Sequence, residues 1–527
     1  MTSEDWDTTV MRRDAMAAAA TLGAVALGGC SGTDPGRDQG DGTDGGRDQD
    51  ENETTSEDEV PEDPYRPVYH FAPEAGWMND PNGLVYHDGQ YHLFYQAGEA
   101  RRRWDHATGD LVSWEERGTK LPVEDGIQQF SGGAVVDEDD DAGFGVDAIV
   151  ATYTGHHDDG TEDQRLAYST DGGDSFTKHE GNPILDSDVG DFRDPNAVRY
   201  GDEWRLVVSR VSSTPDRPAG IEVYSSPGLR DWSYESTVET SVAPAARAWE
   251  CPDLFELPVA GGGSRWCLSV SADWERHELY VGDFDGTAFV PDERFLVDHG
   301  HDFYAGMTWA NDPEGRRLLT GWLNNWAYAM DLPDPGWRGV QAFPRRLVLV
   351  DTDDGLALRQ RPAAELDAVR GRRLVDLADE PLAPGDDVLD NDVAGRALVV
   401  DASIELGDVN RVRLGVREGA DQTTGVIYDA GIERLVVDRS EAGAFFDSGP
   451  FAGVSAPLSL TANTLDLQVL VDRSSVEVFA GDGRLAMSNL VYPDPDSTGV
   501  SLSATGGTAQ LRRLHIDEIS TDGRADE

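Results

Sequence analysis

The chain has 527 residues, 100 acidic and 43 basic, for a net charge of −57. That excess excludes nucleic acid and anionic membrane surfaces as partners, because both would be repelled, and the length predicts two domains plus tails. Acids run through the whole chain beside only two lysines, Lys120 and Lys178, the balance of an extreme-halophile protein whose self-repulsion is screened within ~3 Å at 1 M salt.

Residues 1–30 read as an export signal. Arg12-Arg13 precede a weakly apolar stretch, too short to span a bilayer, that ends in Leu27-Gly28-Gly29-Cys30. The pair resembles a twin-arginine signal and the ending a lipobox, which predicts lipidation of Cys30 and a secreted, extracellular protein whose only tie to the membrane is that anchor. Residues 31–66 follow as an acidic linker. Its GTDPGRDQ is nearly repeated as GTDGGRDQ, and without apolar side chains it cannot offset ordering entropy, so it is expected to be disordered. Beyond Cys30 only Cys251 and Cys267 remain, and their spacing leaves pairing open.

From 67 to about 350 the pattern is β throughout, in short alternating runs between Gly- and Asp-rich turns. Trp114, Phe176, Trp232 and Phe289 each follow a turn-rich lead and lie 62, 56 and 57 residues apart. One such unit suits a four-stranded propeller blade with long loops, and the region holds five of them. The expected fold is all-β, beginning with a five-bladed β-propeller.

Three carboxylates keep nearly the same phase in this repeat. Asp80 lies 34 residues before Trp114, Asp194 lies 38 before Trp232, and Glu250 lies 39 before Phe289. Each is followed closely by proline, which biases its predecessor to extended geometry and ends ladder pairing. Innermost strands of a propeller converge on its channel, so the three acids should meet. Calcium is one use for converging oxygens, but no close D-x-D-x-D loop surrounds them. Glycoside hydrolysis fits better, needing one ionised carboxylate and one protonated carboxyl. Trp77, Trp104, Phe130 and Trp249 offer faces for sugar rings, and Asn79, Gln96, Ser131 and Arg193 offer hydroxyl partners. His156-His157 and His299-x-His301 read as solvated loop histidines rather than metal ligands.

After Arg346 the pattern changes. Residues 351–373 form a connecting segment in which RPAAELDAVRG suggests a short helix. Residues 374–520 return to alternating strands, clearest from Leu465 to Phe479, and 521–527 form a tail.

The ordered set WMNDPNG, FSG at 130–132, FRDP at 192–195, WECPD at 249–253 and DFYA at 302–305 resembles the motif series of glycoside hydrolase family 32, the β-fructofuranosidases, inulinases and levanases. The resemblance covers roughly 67 to 520 and implies that the second domain is a C-terminal β-sandwich of mainly structural role. It implies Asp80 as nucleophile, Glu250 as acid/base and Asp194 as transition-state stabiliser. Glu250 should stay protonated beside the like charge of Asp80. Trp77, Asn79, Gln96, Trp104, Phe130, Ser131, Arg193 and Tyr304 would line the substrate site. Trp77 is similar to the microbial exo-fructosidases. The implied reaction is retaining release of fructose from sucrose, inulin or levan, with fructose-containing oligo- and polysaccharides as partners and no metal or cofactor. A fructosyltransferase on the same site and a non-catalytic fructan-binding protein are the alternatives. One departure is the segment AGEARRRWDHATGD after Gln96, shorter and more basic than the family's loop.

Overall fold

The computed structural model describes residues 63–520, except 187–189, 212–218, 240–247, 354, 390–392, 444 and 448. The signal, Cys30, nearly all of the linker and the tail lie outside the described residues. Among the described residues no helix is long and apolar enough to cross a membrane.

Four antiparallel meanders follow one another. The first is β1 (Gly76–His87), β2 (Gln90–Ala97), β3 (Arg103–Gly109) and β4 (Trp114–Leu121). The second is β5 (Gln128–Asp137), β6 (Ala148–His156), β7 (Glu162–Ser169) and β8 (Thr177–Lys178). The third is β9 (Phe192–Tyr200), β10 (Glu203–Arg210), β11 (Gly220–Ser226) and β12 (Ser233–Glu239). The fourth is β13 (Trp249–Ala260), β14 (Ser264–Ala272), β15 (Arg276–Phe284) and β16 (Phe289–Leu296).

A fifth group, β17 (Tyr304–Thr308) and β18 (Arg317–Trp322), continues after the two-residue β19 (Trp337–Arg338) into β20 (Arg345–Thr352) and β21 (Gly355–Pro362). β19 pairs with β1 in parallel, and β20 pairs with the end of β13. The four repeated aromatics all mark the fourth strand of a meander: Trp114 and Phe289 open β4 and β16, while Phe176 and Trp232 directly precede β8 and β12. The first strands pack on one another in a ring, β1 on β5, β5 on β9, β9 on β13, β13 on β17 and β17 on β1.

The segment expected to connect two domains is mostly strand. β20 and β21 extend the fifth group to Pro362, and the helix read from RPAAELDAVRG is a six-residue 3-10 helix over Ala364–Val369. β-strand Arg370–Leu377 begins immediately after it, so too few residues are left to propagate an α-helix.

The remaining strands form two sheets. One is built around Leu398–Glu405, which pairs with Thr464–Val471 and Ala509–Ile519. The other runs Gly453–Pro457, Arg434–Glu441, Thr423–Asp429, Arg411–Glu418, Gly499–Thr505. Alternating residues such as Val400, Leu414, Val426, Leu467, Leu502 and Leu514 share one apolar core. A second core joins this region to the first, with Tyr69, Leu93, Trp309 and Phe343 packed beside Val399, Leu470 and Phe479.

Buried ions also cross this junction. Arg345 donates to Asp298 Oδ2 at 2.8 Å and to Glu477 Oε1 at 2.9 Å. His70 sits between Asp472 Oδ2 (2.9 Å) and Glu477 Oε2 (2.8 Å). Burial alone would lower the His70 pKa, but hydrogen bonds to both carboxylates push it up to about 9.

Candidate active site

Each first strand breaks register with its neighbour, and the candidate site residues lie at those breaks. In β1 the shift falls between Met78 and Pro81, in β5 between Phe130 and Gly132, and in β9 at Asp194-Pro195. In β13 it falls between Glu250 and Asp253, and in β17 between Tyr304 and Met307. Proline has no N–H to give the ladder, so Pro81, Pro195 and Pro252 force three of these interruptions. Positive φ at Asp194 (63°), Cys251 (49°) and Ala305 (52°) turns the strand there. Bulges of this kind re-aim a side chain, and here they turn Asp80, Ser131, Asp194, Glu250 and Tyr304 towards one place.

Each carboxylate has its own donors. Asp80 Oδ1 accepts from Asn79 Nδ2 at 2.9 Å, and Oδ2 accepts from Ser131 Oγ at 2.7 Å. Ser131 Oγ is also 3.2 Å from Gln96 Oε1. A hydroxyl has one proton, so the nearer carboxylate takes it. Glu250 accepts from Arg193 Nη1 at 3.1 Å and from the Tyr304 hydroxyl at 2.6 Å. Asp194 Oδ2 accepts from the Cys251 backbone N–H at 2.9 Å. The Cys251 thiol lies between two acids, 3.6 Å from Asp194 and 3.9 Å from Asp80. Cys251 and Cys267 are both free and buried, which closes the pairing question.

Crowding acids out of water raises their pKa values. Burial lifts Asp80, opposed by the bonds from Asn79 and Ser131 and reinforced by the Glu250 charge. Asp194 is pushed up to about 8, first by burial and then by the charge of Glu250, with Arg193 pulling the other way. Burial also drives the Cys251 thiol up, which keeps it an uncharged filler.

The other expected site residues take different places. Trp77 and Asn79 are buried beside Asp80, with Trp77 Nε1 donating to Asn79 Oδ1 at 2.7 Å. Gln96 is held by the carbonyls of Gln129 (2.8 Å) and Arg103 (3.2 Å). Trp104 has no exposed surface and reaches the site only through its indole N–H, 2.9 Å from the Phe130 carbonyl. Phe130 is half-buried and stacks on His156 with ring centroids 4.4 Å apart. Trp249 is fully buried in the core between the third and fourth sheets.

His156 therefore differs from the solvated loop residue expected of it. It ends β6, and its Nδ1 lies 3.1 Å from Glu162 Oε1. Glu162 is a supporting residue that the motifs missed. It is buried and receives the Phe192 N–H at 2.8 Å and Arg193 Nε at 3.1 Å. Its carboxyl drops to about 2 because the Arg193 charge and its hydrogen bonds outweigh burial. No spacing marked it, since Glu162 opens the strand facing His156 in the register of β6 and β7 and reaches Arg193 on another strand from there. His299 and His301 pack at the junction, where the His301 N–H is 3.3 Å from Asn489 Oδ1.

This arrangement offers two carboxylates with all near donors satisfied, a third held by backbone, and aromatic walls. It is suited to stabilising and trapping a cationic sugar centre. Residues 70–362 match the model described as glycosyl hydrolases family 32 N-terminal domain, and residues 365–518 match the family 32 C terminal model. The chain is 37% identical over 485 residues to a levanase of Bacillus subtilis, covering 86% of this chain and 70% of that protein. An extracellular exo-inulinase of Aspergillus niger is 30% identical over 518 residues, covering 87% and 95%. The crystal structure of an exo-inulinase from Aspergillus awamori superposes with a TM-score of 0.80 at 29% identity, covering 87% of this chain and 99% of that one. Both halves of the described chain thus fall within one family, and the protein belongs to glycoside hydrolase family 32.

Proposed function

We propose that the protein is a retaining exo-β-fructosidase that releases terminal fructose from levan, inulin or sucrose. The five strand groups are the blades of a five-bladed propeller, and the two later sheets form a sandwich packed on it. The observation that carries the reading is the meeting of Asp80, Asp194 and Glu250 at the register breaks of three first strands.

Asp80 attacks the anomeric C2 of the terminal fructosyl unit as Glu250 protonates the departing glycosidic oxygen. The C2–O bond breaks and a fructosyl ester forms on Asp80. Glu250 then takes a proton from water, the hydroxide attacks C2, and Asp80 is freed. Asp194 accepts hydrogen bonds from fructose hydroxyls. Trp77, Asn79, Gln96, Phe130, Ser131, Arg193 and Tyr304 shape the pocket, and Trp104 supports it from beneath. The names of the levanase and exo-inulinase relatives support the substrate class. Secretion is supported by the extracellular exo-inulinase among them. The lipid anchor at Cys30 rests on the LGGC ending, and salt adaptation rests on the net charge of −57.

The test is sugar release by the protein purified in molar salt, compared on sucrose, inulin and levan. Asp80→Asn should lose about a thousandfold or more in kcat. Glu250→Ala should lose less on substrates with good leaving groups, because they need no proton. Kestose-type products at high sucrose would instead identify a fructosyltransferase. Fructose release that persists in Asp80→Asn removes Asp80 from the nucleophile's role.

A further inference from the structure

The basic segment after Gln96 contains three arginines in a chain that has few cations, and one of them reaches the site. Arg102 lies between β2 and β3. Its backbone is tied to β5, the strand that carries Ser131: the Arg102 N–H donates to Gln128 Oε1 at 2.9 Å, and its carbonyl accepts from Gln129 N at 3.0 Å. Its guanidinium lies 5.8 Å from the ring centroids of both Trp77 and Trp326, a geometry in which rings attract a cation. From there Arg102 Nη1 donates to Asn79 Oδ1.

That bond decides which way the Asn79 amide points. Its oxygen accepts from Trp77 Nε1 on one side and from Arg102 on the other. The –NH2 end is therefore left facing Asp80 Oδ1. A flipped amide would set oxygen against carboxylate and leave two donors without an acceptor, which holds the amide in this one orientation. Arg103, by contrast, turns away to Asp105 at 2.8 Å, so the neighbouring arginine does not share this role.

We propose that Arg102 is a positioning residue for Asp80: it locks the Asn79 amide and places a positive charge beside the carboxylate from outside the family's motifs. The inference rests on the reading of Asp80 as nucleophile. Asp80 faces Glu250 and the Cys251 thiol from β13, Asp194 from β9 and Arg102 from the β2–β3 loop. Arg193 and the Tyr304 hydroxyl engage Glu250 rather than Asp80. Arg102 is thus the cation opposing two acidic neighbours, and it acts to lower the pKa of Asp80.

The deciding experiment compares wild type, Arg102→Gln and Arg102→Lys as full chains in molar KCl. The Asp80 carboxyl is titrated by 13C chemical shift, assigned through Asp80→Asn, alongside the pH profile of kcat/KM on sucrose. Arg102→Gln keeps a donor but loses the charge, so both the Asp80 titration and the acid limb should move up by about one pH unit, with about tenfold less activity below it. Arg102→Lys keeps the charge but not the planar fork, so the limb should stay while kcat falls several-fold. In wild type the limb should not move between 1 M and 4 M KCl, because the charge acts through the bonded Arg102–Asn79–Asp80 chain, where salt ions do not enter. An unmoved Asp80 titration in folded Arg102→Gln, or a wild-type limb that follows salt, overturns the positioning role. The titration reads the carboxyl without turnover, so a lack of fructose release would count against the proposed activity alone.

Discussion

A carboxyl raised to about 8 is one that the folded chain holds in its neutral form. Burial and the charge of Glu250 take Asp194 from the ordinary 3.8 of an aspartate to about 8 in the folded chain. Its contribution to stability is therefore complete below about pH 4 and is lost as pH rises towards 8. Asp194→Asn removes that loss. The variant should be more stable than wild type at pH 8 by on the order of 2 kcal/mol, and so melt at higher temperature, with the gap closing near pH 4 and activity largely gone. Thermal midpoints at the two pH values check this, and equal gaps at both would contradict it. The three acids were legible in sequence because phase and proline recur together. Arg102 and Glu162 were not, since each acts through a residue on another strand, and no spacing along one chain encodes that.

At the scale of the element, the register break is the working part. β1 shows why it must be built from Asp-Pro-Asn-Gly. Gly83 has φ +51°, and a Cβ there would meet Phe94 at 3.0 Å, Trp104 at 3.1 Å and Ala134 at 3.2 Å. Gly83→Ala combines left-handed strain with overpacking and should cost on the order of 2–3 kcal/mol. Because Gly83 lies in the second break of β1, next to the break that sets Asp80, kcat should fall more than KM rises. Denaturant midpoints and steady-state kinetics on sucrose measure both effects. The repeated aromatics were readable because each opens or precedes the fourth strand of a meander and recurs at the spacing of the meanders. The short connecting helix read from RPAAELDAVRG is present, and it is 3-10 in type because its helix-forming composition has only a six-residue span between two strands.

Across the whole molecule, the two regions are joined by an apolar seam and by charges out of reach of solvent. The His70 imidazolium is stabilised by Asp472 and Glu477, and with a folded pKa near 9 its contribution is present below about pH 6.5 and lost as pH rises through 9. His70→Gln should lower the melting temperature at pH 6 and flatten its decline between pH 6.5 and 9. Parallel decline in both proteins over that range would show that His70 is not the titrating group. These contacts are dry, so their strength should hold in molar salt, unlike the exposed pairs on the surface.

The same clamp sets an order of assembly. The backbone N–H groups of Val68, Tyr69 and His70 all point to the Asp472 carboxylate, across more than 400 residues of chain. While the chain is being made, these three N–H groups of the lead into the first strand lack their acceptor until residue 472 has emerged. An early part of the fold is thus finished late, and a ring of sheets built of local hairpins waits on one long-range closure, the slow class of folding step. A ribosome-bound chain halted before Asp472 would leave that lead protease-sensitive, and one released just after the following strand would protect it.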